Sequence, residues 1–290
     1  MTTLSTPTAR PQAVWGMIGR QLRAFRVARN ISPAVAGQHI GAHESKISWI
    51  ECGNVKVKED DLERLLALYR VTGAECRAIL DLTRRAGDRQ WWYPHRDVLA
   101  DWFCSYLVLE SAAEVIRTYE VHFIPGILQT RAYAEAVMRQ WYVDEAEVRR
   151  RVEVRMRRQE ILHEQRSPHI WAVIDEAALR KQIGGPLVMR EQLESLIEAN
   201  EQRHMRIQIL LSAAGGHVGM GNSFSILRLR NEHMPDVVYL EQIDSALFFT
   251  EREELDPYRE AMTRINVAAG KPNETRNVIE QALRDAQSPR

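Results

Sequence analysis

The 290 residues carry 39 Lys plus Arg against 39 Asp plus Glu, with 45% hydrophobic and 27% charged residues; this is ordinary globular composition and excludes the low-hydrophobicity signature of disorder. No run approaches the ~18 apolar residues of a membrane span, and Met1–Gln12, rich in Thr, Ser and Pro, lacks the apolar block of a secretory signal, so a cytoplasmic protein without a membrane role is expected. Cys52, Cys76 and Cys104 are odd in number and widely spaced, which predicts free thiols and no disulfide framework.

The length predicts about two domains. Charge is distributed unevenly between them: up to Lys58 eight bases face only two acids, Glu44 and Glu51. A basic end balanced by an acidic body is the pattern of a chain in which one module meets phosphates. Residues 1–14 are expected to be a flexible tail, 15–86 the basic, phosphate-meeting domain, 87–270 a second domain, and 271–290 a C-terminal tail.

Ile18, Leu22 and Phe25 fall at i, i+4 and i+7 and form the apolar stripe of a first helix, with Arg20, Arg23 and Arg26 expected on its other faces. Ser32-Pro33 starts a second helix, the hydroxyl capping free N–H groups and the proline occupying the first turn. Gly41 can take the positive φ that ends it. A third helix runs from about His43 to Glu51, buries Ile47 and Ile50, and stops at Gly53-Asn54. Two short helices joined by a glycine turn give the pattern of a helix-turn-helix, and Gly37 suits the close crossing of its helices. Leu62, Leu65, Leu66 and Tyr69 follow the acids Glu59, Asp60 and Asp61 in a fourth helix; Ala74–Arg85, with Ile79 and Leu82, makes a fifth.

Roles follow from docking geometry. The N-terminal turn of a recognition helix meets base edges in the major groove, which selects His43, Glu44, Ser45, Lys46 and Ser48, with Trp49 either reading DNA or packing on neighbouring helices. Glu44 can accept from cytosine N4, and Lys46 can meet guanine or phosphate. Ser32, Arg20, Arg23 and Lys56 complete the candidate interface, the last three as phosphate contacts that orient without reading sequence.

Beyond Gly87 the cluster Trp91-Trp92-Tyr93 suggests packing between domains. Helical periodicity is read around Val98–Ser111, Ser111–Tyr119, Gln129–Trp141 and Glu147–Gln165. In the last of these, Arg149, Arg150, Arg151, Arg155, Arg157 and Arg158 interleave with Glu147, Glu153, Glu160 and Glu164, which predicts a solvated face of intrahelical ion pairs. Ile170–Ile174 is a short apolar run. Glu176–Arg180 and Met189–His204 read as helices; Arg206–Leu211, Ser223–Arg230 and Val237–Leu240 as strands; Asp256–Ala269 as a closing helix. The expected fold class is mainly α with a smaller sheet, an N-terminal five-helix domain plus a C-terminal α+β domain.

Sites of other chemistry are not expected. Nine histidines form no ligand-spaced pair, so neither metal nor cofactor is expected. Gly215–Gly221 lacks the Lys-Ser/Thr of a phosphate loop and reads as a flexible hairpin loop between strands. Asp175-Glu176 is explained by a helix cap, and no nucleophile arrangement stands out, so the chain is not expected to be an enzyme.

Ile18 to Tyr69, with Ser45-Lys46-Ile47-Ser48 and Ile50-Glu51 through Gly53, resembles the Xre (lambda-repressor-like) helix-turn-helix family. It departs from that family at Pro33, where Gln is usual, Ala36, where Leu is usual, and Gly37, where Ala is usual. Leu109 to about Ala269 resembles the C-terminal domain of actinobacterial WhiJ-like, antitoxin-like regulators. The resemblance rests on Glu114, Arg117-Thr118-Tyr119-Glu120, Pro125-Gly126-Ile127-Leu128-Gln129-Thr130, Arg158-Gln159, Asp175-Glu176-Ala177-Ala178-Leu179-Arg180, Met189-Arg190 and Gln192-Leu193. Together these imply a sequence-specific regulator of double-stranded DNA whose second domain senses a signal or a small protein partner encoded nearby. The alternative is an antitoxin-like module that holds such a partner, DNA binding serving autoregulation. A homodimer is expected, because one short recognition helix reads too few bases for genomic specificity.

Overall fold

The computed structural model describes residues 13–87 and 90–287, side chains being described to residue 285. The chain divides into two compact units: Met1–Tyr93 with Asp101–Ala112 and Asn231–Met234, and Pro94–Ala100 with Ala113–Arg230 and Pro235–Arg290.

The first unit is helical: α1 (Ala13–Ala28), α2 (Pro33–His39), α3 (Glu44–Glu51), α4 (Glu59–Leu68), α5 (Gly73–Arg85) and α6 (Asp101–Ala112). Its core is the set of stripes read from the sequence, with Ile18, Leu22, Ile47, Leu62, Leu65, Leu66 and Ile79 each at most 1% exposed. Gly41 has φ +69°, as its turn requires.

The second unit is built on one six-stranded sheet in the order β3-β2-β1-β4-β5-β6. Its strands are β1 (Ala113–Glu120), β2 (His169–Asp175), β3 (Met205–Leu210), β4 (Phe224–Leu229), β5 (Val237–Glu241) and β6 (Ala246–Phe249). β1, β2 and β3 are parallel, and β4, β5 and β6 continue from β1 antiparallel. The helices are α7 (Arg131–Met138), α8 (Glu145–Arg158), α9 (Glu176–Arg180), α10 (Pro186–Asn200), α11 (Arg252–Ala268) and α12 (Thr275–Gln287). Tyr119, Val173, Leu210, Phe224, Ile226, Val238 and Leu240 make one sheet face a core with Leu255, Met262 and Ile265 of α11.

The structure departs from the sequence pattern at four places. Residues 113–120 are a strand, and Val115, Ile116, Thr118 and Tyr119 are the β-branched and aromatic types that a pleated surface favours over a helix. The Gly215–Gly221 loop is no hairpin: β3 and β4 are separated by β2 and β1, so it crosses two strands. Its His217 Nε2 meets the Tyr119 hydroxyl at 3.4 Å. Residues 275–287 form α12, with Ile279 fully buried and Ala282 8% exposed, where a tail was read. β6 had no reading, its four residues being too few for a period.

The fourth departure concerns α8. Glu147–Arg151 is an intrahelical pair as expected, at 2.7 Å. Arg158, in contrast, is 7% exposed, and Arg155 Nη1 donates to Gln129 Oε1 at 2.6 Å. The helix thus turns part of its basic face inward, onto the segment Pro125–Thr130. That segment is held by side chains throughout: Gln192 Nε2 donates to Leu128 O at 2.8 Å while its Oε1 accepts from Thr130 N at 2.7 Å. Gln129 Nε2 donates to Ile124 O at 2.7 Å, and Gln159 Nε2 to Gln129 O at 2.8 Å. Gln129, Thr130, Gln159 and Gln192 of the second resemblance thus form one network that satisfies an irregular buried backbone, whereas Glu176 and Arg180 pair with each other elsewhere. Gln192 is fully buried. Gln192→Leu strands two backbone groups at once and is expected to cost the unit about 2–4 kcal/mol, read as faster hydrogen exchange across 124–134; unchanged exchange would assign the stability elsewhere.

Glu120, at the end of β1, lies in the same region. Burial, with Glu241 adding to it, pushes its carboxyl up from 4.5 to about 7, against the opposing Ser223 hydrogen bond and the charges of Arg158 and Arg155. Arg155 is lowered to about 10 by burial and by the neighbouring Arg158. The folded state therefore holds a proton on Glu120 more tightly than the unfolded chain does. Its contribution to stability is complete below pH 4.5 and is lost as pH rises through about 7. Denaturant midpoints measured from pH 4 to 8 should lose this descending component in Glu120→Gln; an unaltered profile would rule out Glu120 as its source.

Candidate nucleic-acid interface

The geometry of the candidate interface begins with two caps. Ser32 Oγ accepts from Val35 N at 3.2 Å and starts α2 with Pro33 in its first turn. His43 Nδ1 accepts from Ser45 N at 3.3 Å and lies 3.0 Å from Ser45 Oγ, starting α3. Between them the backbones approach so closely that a Cβ on Gly37 would stand 2.8 Å from Ala42 O and 3.1 Å from Glu44 N. The small residue read at this crossing is thus a steric requirement.

α3 buries Ile47 and Ile50. The helical period places Glu44, Ser45, Ser48 and Trp49 on one adjoining arc away from that stripe, Glu44 with Ser48 and Ser45 with Trp49 at i, i+4. Glu44 and Ser48 are exposed and Ser45 is partly so. Trp49 is 55% exposed, so the packing role weighed for it is not the one it adopts. The structure therefore brings His43, Glu44, Ser45, Ser48 and Trp49 onto one short helix and its cap. Ser32 stands at the start of α2, its side chain engaged as a cap. Arg20 and Arg23 are exposed on α1, and Lys56 is exposed in the segment after α3.

Lys46 is differently placed. Its Nζ lies 2.7 Å from Asp61 Oδ2, with the acid side chain 13% exposed, so it links α3 to the first turn of α4 in the DNA-free protein. Any contact to DNA has to compete with that pair.

What the sequence reading missed is the anchor beneath the helix pair. Arg26, counted there with the outward bases, is 8% exposed and Glu51 is 7% exposed. Arg26 Nε and Nη2 donate to the two Glu51 carboxylate oxygens at 2.6 and 2.8 Å, and Nη1 donates to Ile31 O at 2.8 Å. One guanidinium thus joins α1, the end of α3 and the α1–α2 turn in a bidentate arrangement. Tyr69 is buried beside them, and burial first, then the charge of Glu51, raises its phenol above the usual range. Gly19 allows the approach: a Cβ there would lie 2.3 Å from Ile50 O.

Two short helices crossing at a glycine, with the second presenting a polar arc above a buried apolar stripe, define a helix-turn-helix DNA-binding domain, and residues 18–79 match the family described as a helix-turn-helix domain. The larger part of the chain settles its kinship. Residues 103–281 match the family described as domain of unknown function (DUF5753), and the chain belongs to that family. No curated protein and no solved structure matches it. Among the described residues no helix is long and apolar enough to cross a membrane.

Proposed function

We propose that this protein is a sequence-specific transcriptional regulator of the Xre type, working in the cytoplasm as a homodimer on a two-fold operator. The observation that carries the reading is the exposed arc of Glu44, Ser45, Ser48 and Trp49 on a capped helix within a matched helix-turn-helix domain. His43, Glu44, Ser45, Ser48 and Trp49 face the base edges, Lys46 joins them by exchanging Asp61 for DNA, and Arg20, Arg23, Lys56 and Ser32 meet the backbone. Trp49 supplies an apolar surface suited to a thymine methyl group. In this reading the second unit is a WhiJ-like, antitoxin-like module that takes a small protein partner, and the chain is not an enzyme.

Genome-wide mapping of the bound protein, followed by gel-shift titration of the strongest site at two salt concentrations, tests the proposal. A discrete, roughly palindromic motif with steep salt dependence is expected. Diffuse, salt-labile binding would overturn it.

A further inference from the structure

Among the described strands, β6 is the last in the sheet, paired only to β5. Edge strands are commonly blunted by brevity, charge, proline or a bulge; β6 is four residues long, but Ala246-Leu247-Phe248-Phe249 carries neither charge nor proline, and its pairing with β5 runs without a register shift. All four residues remain partly exposed. They are nonetheless held in place: Phe249 stacks on Tyr258 at 5.6 Å and Phe248 packs on Tyr239 at 5.1 Å. The edge is a fixed template, and Ile243, 84% exposed, extends its apolar character.

The charges around the strand select the occupant. Asp244 precedes it and Glu253 and Glu254 follow it, all three exposed, while the one cation beside them, the exposed Arg252, lies 3.6 Å from Asp256, so the flanks remain net acidic. Self-pairing is disfavoured on the same ground. Antiparallel pairing of two copies centred between Leu247 and Phe248 brings Asp244 of one copy beside Glu251 of the other at the ends of the paired strands, and like charges brought together there destabilise the pair.

We propose that β6 is the docking edge of the second unit and accepts an extended segment of a partner protein, apolar on one face and carrying lysine or arginine on its flanks. Main-chain hydrogen bonds supply the affinity and the acidic flanks the selectivity. The proposal rests on the reading of this unit as a partner-binding module and gives that module its site and the chemistry of its ligand.

The test uses the full chain and a synthetic ten-residue peptide alternating lysine with valine, compared with the same peptide carrying glutamate for lysine. Hydrogen exchange at residues 246–249 should slow at least tenfold with the lysine peptide alone. Its affinity should fall at least fivefold in the triple variant Asp244→Asn, Glu253→Gln, Glu254→Gln, whose exposed substitutions leave the core intact. N-methylation of alternate peptide residues on the pairing edge should abolish the protection. Protection on another face of the second unit overturns the β6 site while leaving the partner reading standing. Protection nowhere counts against both. Concentration-dependent protection of 246–249 without peptide identifies a second copy as the occupant and overturns the basic-segment proposal.

Discussion

Arg26→Ala is expected to destabilise the first unit by about 3–5 kcal/mol, the cost of leaving one member of a buried ion pair without its partner. The Glu51 carboxylate would lose two charge-assisted hydrogen bonds of 2.6 and 2.8 Å in a position where only 6% of its side chain reaches solvent. Ile31 O would lose its donor as well, loosening the α1–α2 turn. Glu51→Gln should cost less, because an amide oxygen can still accept one of the two bonds. Replacing both residues, Arg26→Met with Glu51→Leu, should recover much of the loss, since the penalty comes chiefly from the stranded charge and the pair itself gains little over apolar packing. Hydrogen exchange of α1 and α3 amides measures this unit separately from the other. A single variant as stable as the natural chain would show that water reaches the pair; a double variant as unstable as the single would show that the ion pair is itself the source of stability.

The second large effect concerns DNA. Ser45→Ala combined with Lys46→Ala is expected to weaken binding to the mapped operator at least about a hundredfold, because each well-formed base contact contributes about 1–3 kcal/mol. The Lys46–Asp61 pair gives the prediction a counterpart of opposite sign. Since Lys46 is held 2.7 Å from Asp61 in the free protein, Asp61→Asn frees the ammonium and should tighten binding several-fold with a steeper salt dependence, by about one additional phosphate's worth if Lys46 meets the backbone. Gel-shift titrations of both variants over a salt series check the two together. Unchanged operator affinity in the double variant would remove these residues from the interface, and weakened binding in Asp61→Asn would show that Asp61 serves to position Lys46 on the DNA.

Much of the first unit was legible because local rules and the tertiary structure agree there. Ser32-Pro33 and Gly41 bound α2 as their capping and φ preferences dictate, and Ile47 and Ile50 mark the buried side of α3, leaving the arc of Glu44, Ser45, Ser48 and Trp49 by subtraction. The Arg26–Glu51 anchor escaped that reading, although a signal existed. Arg26 stands at i+8 from Ile18 and i+4 from Leu22, in line with the apolar stripe rather than away from it. A charge placed on a buried stripe needs a partner, but periodicity does not say which of the chain's acids supplies it.

The second unit divides in the same way. Short-range pattern found β3, β4, β5 and most of the helices, since alternation and period 3.6 are properties of neighbouring residues. It misread β1, whose eight residues follow directly on α6 and lie near the middle of the sheet, where burial on both faces erases alternation. The motif residues Gln129, Gln159 and Gln192 could be quoted but not connected, because they are separated by 30 to 63 positions and meet only around Pro125–Thr130. By itself the sequence determined where α2 and α3 begin and end, which faces of the first unit's helices are apolar, and which short helix offers its polar arc outward. Only the tertiary structure decided that Arg26, Arg155 and Arg158 turn inward, that Lys46 is held by Asp61, and that β6 is left as an edge, since each depends on which distant groups share a low-dielectric space, and that is set by the packing of whole elements.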